Sequence, residues 1–504
     1  MLSKIISSSF IGVKGFIVGV EVDVARGLPS FTIVGLGDAA ISESKERVRA
    51  AIKNSDISLT PKKIIVNLSP ADMKKEGSYF DLPISIGILA SLEQIKFDKL
   101  DRYLIVGELS LSGEIRRVKG IINSVITAKE NGLEGVILPF GNYEEAKMIK
   151  GIKIVPVKNL NEAIDFLNDD IEINLDNIKI ENHIENNVIE YDFKDVKGQE
   201  KAKRAVEISA AGGHNLLMIG SPGSGKSMIA KRVPGILPEM TDEDIIEATK
   251  IYSIAGLLTE KNPIIRKRPF RSPHHTASDV ALIGGGRVPR PGEISLAHNG
   301  VLFLDELTEF PRKVLEVLRQ PLEDRIVSIS RAAFNVTLPA NFITIAAANP
   351  CKCGFLYETS DSPKQCTCTP SEVKKYQQKL SGPIIDRMDL YVEIRRLSEE
   401  ELLNYKEGES SEKIKLRVEK ARDIQRRRFK SKKTNSNMTS RDIKKYCKLD
   451  EKSEELIKLA SRRIGLSGRG FDKILKTART IADLNESEQI QKEHILEAVS
   501  YRNQ

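Results

Sequence analysis

Between Asn215 and Val233 the chain reads NLLMIGSPGSGKSMIAKRV. An apolar run suited to a buried strand leads into Gly220-x4-Gly225-Lys226-Ser227, and a helical pattern follows. A strand that must feed a helix through so tight a glycine turn commits this part of the chain to α/β architecture with a parallel sheet. The same turn predicts a phosphate site. Gly220, Ser221, Pro222, Gly223, Ser224 and Gly225 expose backbone N–H groups at a helix N-terminus. Lys226 is placed to reach the β- and γ-phosphates of ATP, and Ser227 to ligate Mg²⁺. The alternative is a turn without a ligand, against which the flanking strand and helix both argue.

Two further strands bear on this loop. GVLFLDEL (Gly300–Leu307) carries four apolar residues into Asp305 and Glu306. A buried parallel strand with this ending delivers one carboxylate to Mg²⁺ (Asp305) and a second to orient or deprotonate the attacking water (Glu306). NFITIAAANP ends in Asn349, whose amide could stand between the γ-phosphate and that water. The other reading of Asn349 is a cap for the turn before Pro350.

Around this core, 504 residues suit two to four domains. Residues 1–165 mix strands (FTIVGL, KKIIVNLS, YLIVGELSL, GVILP) with helical stretches at Ser42–Asn54 and Ile121–Asn131, an α+β domain. Residues 166–192 hold eight acidic residues against one Lys and read as an exposed acidic linker. The α/β texture occupies 193–395, and residues 396–504 read as helices, with Lys413–Lys433 predicted to form a helix with a basic outer face. The alternation from Val18 to Val24 is that of a strand, not a signal peptide. No apolar run is long enough for a transmembrane helix, so the expectation is a cytoplasmic protein with reduced cysteines and no membrane partner. The net charge of +8 admits nucleic acid without demanding it.

Taken together, the phosphate loop, FLDE, the strand-terminal Asn, SGPIIDRMDL and GLSGRGFDKILKTARTIADL resemble the magnesium-chelatase-like branch of AAA+ ATPases. More closely, the chain resembles the ComM/YifB group of competence-associated AAA+ proteins over nearly its full length. RGLPSFTIVGLGDAAISESKERVRAAI, KEGSYFDLPISIGIL, FRSPHHTASDVALIGGG and PGEISLAHNGVLFLDEL carry that likeness. The resemblance implies an AAA+ P-loop core with a C-terminal helical lid and a homo-hexameric ring. It also implies ATP-driven DNA helicase or translocase activity that promotes branch migration in recombination or transformation. Arg387 resembles the arginine finger given to a neighbouring subunit's ATP, and Arg469 the sensor-2 arginine of the lid. Asn349 resembles sensor 1, and Val196–Gln199, including Gly198, the segment bordering the adenine.

Two insertions point to DNA as a partner. SDVALIGGGRVPRPGE (Ser278–Glu293) reads as a mobile basic loop with Arg287 and Arg290, similar to the helix-2 insertion of minichromosome-maintenance helicases. SISRAAFNVTLPANF reads as a hairpin with Arg331 near its tip. Pore cations of this kind neutralise backbone phosphate irrespective of sequence; contact with neighbouring subunits is the alternative. His274 and His275 should point to different faces and serve a structural or nucleotide-coupled role. The N-terminal domain resembles the Lon protease and ribosomal S5 domain 2-like fold, also seen in the C-terminal domain of RadA. Tyr79 takes the place of the Ser nucleophile, and Ile122–Ser124 the place of the Lys base, so peptidase activity is not expected.

Cys351, Cys353, Cys366 and Cys368 follow Asn349 as C-x-C-x12-C-x-C. The pattern admits a Cys₄ Zn²⁺ site, reduced structural thiols, or a redox or iron–sulfur site. Besides the DNA motor, the sequence leaves open a chelatase-type remodeller of proteins or metal complexes. No D-x-S-x-S metal-adhesion motif stands in this chain to support that reading.

Overall fold

The structure, a computed structural model, describes residues 2–35, 39–73, 75, 77–96, 98–173, 191–286, 289–331, 334–358, 364–379, 384–398, 400–401, 407–465 and 467–502. The first part of the chain builds a seven-stranded sheet in the order β3-β4-β2-β1-β5-β8-β9. Its strands are β1 (Leu2–Ile11), β2 (Lys14–Ala25), β3 (Ser30–Val34), β4 (Lys63–Ser69), β5 (Tyr103–Ile105), β8 (Gly135–Pro139) and β9 (Lys153–Val157). A two-stranded ribbon of β6 (Glu108–Leu109) and β7 (Ile115–Arg116) lies beside it. The pairs β1–β2 and β2–β4 are antiparallel and the rest of the sheet is parallel. The predicted alternation from Val18 holds: Val18, Val20 and Val22 are fully buried while Glu21 and Asp23 are half-exposed. The run YLIVGELSL does not form one strand. It breaks after Ile105 because Gly107 is wedged against Leu82 and Ile115, and β6 turns back to pair with β7.

The second sheet is parallel throughout, in the order β11-β14-β17-β10-β18. It comprises β10 (Leu216–Gly220), β11 (Phe270–Arg271), β14 (Val301–Leu304), β17 (Ile343–Ala348) and β18 (Leu390–Ile394). Both faces are covered, as a parallel sheet requires. Leu216 and Met218 of β10 enter one core with the helices Glu200–Gly212, Lys226–Ile236 and Gly468–Leu484, whereas Leu217 and Ile219 enter the opposite core. Two small hairpins complete this part, β12 (Gly284–Gly285) with β13 (Arg290–Pro291), and β15 (Ile326–Arg331) with β16 (Phe334–Pro339).

The two parts touch at places the sequence did not indicate. The β1–β2 turn sends Ile11 and Val13 onto the core under β15–β16, and a Cβ at Gly12 would collide with Val336. The Gly120 N–H donates to Ser253 Oγ (3.0 Å), which donates to Glu145 Oε2 (2.8 Å), and Arg117 reaches the same carboxylate at 2.9 Å. The helix Leu160–Asn168 packs on the first core through Leu160, Ala163, Phe166 and Leu167 and so runs past the expected boundary at 165. Most of the acidic stretch, 174–190, lies outside the described residues.

After β18 the helices Ser411–Phe429, Ser440–Tyr446, Glu451–Ile464, Gly468–Leu484 and Lys492–Ser500 follow. The first is the predicted helix with a basic outer face, where Lys413, Lys420, Arg426 and Arg427 are exposed, but not all of its cations lie on that face. Arg422 turns inward and donates to the Ala210 carbonyl (2.7 Å), and Arg428 reaches Asp483 (2.8 Å). Their heads satisfy a backbone carbonyl and the fully buried carboxylate of Asp483.

Candidate nucleotide-hydrolysis site

The site lies where the parallel strands end. Gly220 closes β10 with no room for a side chain, since a Cβ would strike the Ile394 carbonyl of β18. Gly223 and Gly225 take φ of 79° and 95°, the left-handed region that suits glycine. The loop then opens the helix Lys226–Ile236. Lys226 Nζ donates to the carbonyls of Gly220 (2.6 Å) and Ser221 (2.9 Å) and to Asn349 Oδ1 (3.3 Å). Burial lowers its pKa, against the pull of Asp305 and Glu306. Ser224 Oγ is buried without a hydrogen-bond partner among the described residues. An orphaned hydroxyl in a glycine turn that opens a helix fits a ligand made of acceptor oxygens, as phosphate is.

Strand β14 brings the carboxylates. Ser227 Oγ donates to Asp305 Oδ2 at 2.7 Å, so the two predicted Mg²⁺ ligands already share one spot. Two hard oxygens so placed suit Mg²⁺, which keeps several waters and takes few protein ligands. Glu306 is half-exposed, with φ 50° and ψ 49°, and its N–H donates to Asp305 Oδ1 (2.9 Å). Its Oε2 lies 3.2 Å from His275 Nδ1. The two histidines do not diverge as expected: their rings lie 4.1 Å apart, centroid to centroid, tilted by 32°. The alternation argument belongs to strands, and this pair stands in a turn.

Strand β17 ends at Ala348 and delivers Asn349 beside Lys226. Directly beyond it Gly354, at φ 88°, packs on the phosphate loop; a Cβ there would sit 2.6 Å from Pro222 Cδ. The sulfurs of Cys351, Cys353, Cys366 and Cys368 lie within 4.8 Å of one another, and none is in a disulfide. On the other flank Val196 is buried and Gly198 (φ 54°) abuts Leu397, while Gln199 Nε2 donates to the Arg395 carbonyl (2.6 Å). Arg232, from the phosphate-loop helix, donates to the Asp192 carbonyl (2.6 Å) and anchors this segment to the loop's own helix.

The two predicted arginines stand elsewhere. Arg387 precedes β18, at the end of the sheet away from the loop: Leu390 pairs with Leu216 and Ile394 with Gly220. It donates to Glu323 Oε1 (2.6 Å), and Arg469 Nη1 lies 3.6 Å from the same oxygen. Both cations therefore sit on one face, a strand's length from this chain's own phosphate loop.

Known proteins resemble this chain. Residues 192–402 match the family described as magnesium chelatase, subunit ChlI. Residues 20–142 match subunit ChlI of Mg-chelatase, and 408–502 its C-terminal part. YifB of Escherichia coli (strain K12) is 42% identical over 503 residues, covering 99% of this chain and 97% of that protein. This chain belongs to the ComM/YifB family. Competence protein ComM of Haemophilus influenzae is 41% identical over 507 residues, again with 99% and 97% covered. A more distant likeness, 25% over 338 residues, joins 61% of the chain to 36% of the maternal DNA replication licensing factor mcm6 of Xenopus tropicalis.

In this ComM/YifB member the two insertions are partly ordered. Instead of a loop throughout, Ser278 caps a short helix, Asp279–Ile283, and the chain returns through β12–β13 with Arg290 exposed. Arg287 lies outside the described residues. The second insertion forms the expected hairpin, with Arg331 paired to Phe334 at its tip; the Arg331 side chain is outside the description. In the first domain the Tyr79 ring packs with Phe10 and Phe80, and the Ser78 hydroxyl is bonded to Glu108. Ile122 and Ser124 are buried in the helix Ile121–Glu130. Sequence reasoning passed over Glu323, which left no signal, and marked Gly354 only as the residue after the first cysteine pair.

Proposed function

We propose that this protein is a cytoplasmic, Mg²⁺-dependent ATPase that assembles as a homo-hexameric ring and moves along single-stranded or branched DNA, promoting branch migration. One observation carries the hydrolytic part: Ser227 and Asp305 meet at 2.7 Å while Lys226 lies 3.3 Å from Asn349, so three strand ends converge on one phosphate loop. Gly220–Ser227 would hold the phosphates, Ser227 and Asp305 the Mg²⁺, and Val196 and Gly198 would border the base. The metal supplies charge neutralisation on the phosphates. Lys226 exchanges its carbonyl partners for phosphate oxygens, and Asn349 orients the water. Glu306, once free of His275, accepts that water's proton. Arg469 is exposed and Arg387, largely buried, meets it at the half-exposed Glu323; cations at that face could be lent to an adjacent subunit, where they would stabilise transition-state charge.

The DNA part rests on membership of a family that includes a competence protein and on the likeness to a replication licensing factor. Arg287, Arg290 and Arg331 would grip backbone phosphates. A chelatase-type remodeller is the second reading, favoured by the match of 192–402 to a magnesium chelatase subunit. ATP turnover with and without forked DNA separates the two. Within the motor reading, Lys226→Ala loses ATP binding and Glu306→Gln binds ATP but barely hydrolyses it; full turnover in Glu306→Gln overturns its role.

A further inference from the structure

The four cysteines form a compact sulfur cage. Cys351 Sγ lies 3.3 Å from Cys353 Sγ and 3.8 Å from Cys366 Sγ, and the Cys353 and Cys366 sulfurs are 3.6 Å apart. Cys368 Sγ accepts from the Cys353 N–H at 3.4 Å. A disulfide would bring two sulfurs to about 2.05 Å, well inside every one of these separations. A tetrahedral centre with metal–sulfur bonds of about 2.3 Å has sulfurs about 3.8 Å apart, which these distances approach. Four thiols drawn from two short pairs, with one buried and the others half-buried, make a closed ligand set with no place left for substrate. All-thiolate tetrahedral sites select Zn²⁺ or an iron–sulfur centre. Four cysteines gathered around a single point, with sulfurs in mutual contact, suit a single ion better than a multinuclear cluster that must fit between them.

The cage stands at a junction of the catalytic elements. Cys351 follows Asn349 by two residues. Gly354, whose N–H donates to the Cys351 carbonyl (3.0 Å), presses against the phosphate loop: a Cβ on it would sit 2.6 Å from Pro222 Cδ and 2.8 Å from Pro222 Cγ. Cys368 leads into the helix Pro370–Lys379, and Tyr376 of that helix shares a 2.6 Å hydroxyl–hydroxyl hydrogen bond with Thr308, two residues beyond Glu306. The sulfur cage thus joins the end of β17, the phosphate loop and the turn after β14. Among the described residues no strand includes Pro350–Glu358 or Lys364–Thr369, and the four sulfurs tie these two stretches together.

We propose that Cys351, Cys353, Cys366 and Cys368 bind one Zn²⁺, and that this ion is a strut that holds Gly354 against Pro222 and so sets the phosphate loop for nucleotide. The metal assignment stands without the ATPase reading; the nucleotide coupling rests on it. The test uses the full chain purified without chelator. Elemental analysis is expected to find one zinc per chain. Replacement of the zinc by Co²⁺ should give the visible absorption and thiolate charge-transfer bands of a tetrahedral CoS₄ centre. Substoichiometric metal with no Co²⁺ uptake, or iron with inorganic sulfide, overturns the site.

Cys353→Ser/Cys368→Ser should lose the zinc and weaken binding of a fluorescent ATP analogue by about tenfold, while Cys447→Ser, away from the cage, keeps both. In case the double variant does not fold, Gly354→Ala tests the strut separately. It should retain zinc and still lose about tenfold in nucleotide affinity, because the proline must move. Zinc retained with unchanged affinity in Gly354→Ala overturns the coupling and leaves the metal site. Absence of nucleotide binding in the parent chain overturns the ATPase reading and leaves the metal result readable.

Discussion

Arg387 offers the sharpest test of how the ring would work. The register of β18 on β10 sets Leu390 beside Leu216 and Ile394 beside Gly220. Four strand steps of about 3.3 Å put roughly 13 Å between the start of β18 and the phosphate loop. Arg387 lies further back still, in the turn Ile385–Arg387, engaged with Glu323 at 2.6 Å. No arginine side chain covers that distance within one subunit, so direct contact of Arg387 with a phosphate would have to be with a neighbour's nucleotide. An arginine finger contributes about 10³–10⁵ in turnover, so Arg387→Ala should retain about a thousandth or less of the parent phosphate-release rate at saturating Mg²⁺ and ATP. Lys226→Ala should be equally inactive. Mixed one to one in a head-to-tail ring, half of the phosphate loops are intact, and half of those face an intact Arg387. About a quarter of the parent rate should return. Parent-like turnover in Arg387→Ala, or mixtures no faster than either variant alone, would refute the assignment across subunits.

Three residues give further predictions. His275→Ala removes the partner of Glu306, 3.2 Å away; a half-exposed pair is worth up to about 1 kcal/mol, so basal turnover without DNA should rise by up to about fivefold, and an unchanged or reduced rate contradicts a restraining role. Asp389 is buried, which raises its pKa, but Lys473 (3.1 Å), His214 and the Asn215 N–H outweigh burial and hold it below the ordinary carboxylate range. Its contribution is therefore complete above about pH 4 and is lost as the pH falls further. Asp389→Asn should be less stable at pH 7 and show a flatter acid limb in thermal melts; parallel melting curves from pH 7 to pH 3 would contradict this. Glu323→Gln should loosen Arg387 and Arg469 together, altering turnover in the assembled ring while leaving nucleotide affinity of the separate chain unchanged; a loss of affinity in the separate chain would place one of the arginines in its own site.

What could be read beforehand was local. The glycine spacing at Gly220–Gly225 and the apolar strands ending in Asp305 and Asn349 carry their geometry within a few residues, and the parallel sheet brings them together at one end. Features that depend on distant partners were not readable. Gly107 breaks a strand-like run because Leu82 and Ile115 crowd it. Arg422 turns inward because Ala210, more than 200 residues earlier, has a carbonyl to satisfy. His274 and His275 lie side by side, with tilted rings, because they stand in a turn, where alternation does not apply. The docking of the β1–β2 turn on β16 left only Gly12 as a sign, and a lone glycine in a hairpin turn has a simpler explanation.

The central claim is that hydrolysis at Lys226 and Glu306 is coupled to DNA gripped by Arg287, Arg290 and Arg331. The most direct measurement is the ATPase rate of the full chain at low salt, with no DNA and with single-stranded, duplex and forked DNA in turn. Single-stranded or forked DNA should raise the rate, the rise should fade as salt increases, and Arg290→Ala/Arg331→Ala should lose the stimulation while keeping the basal rate. A rate that none of these DNAs changes would contradict the account.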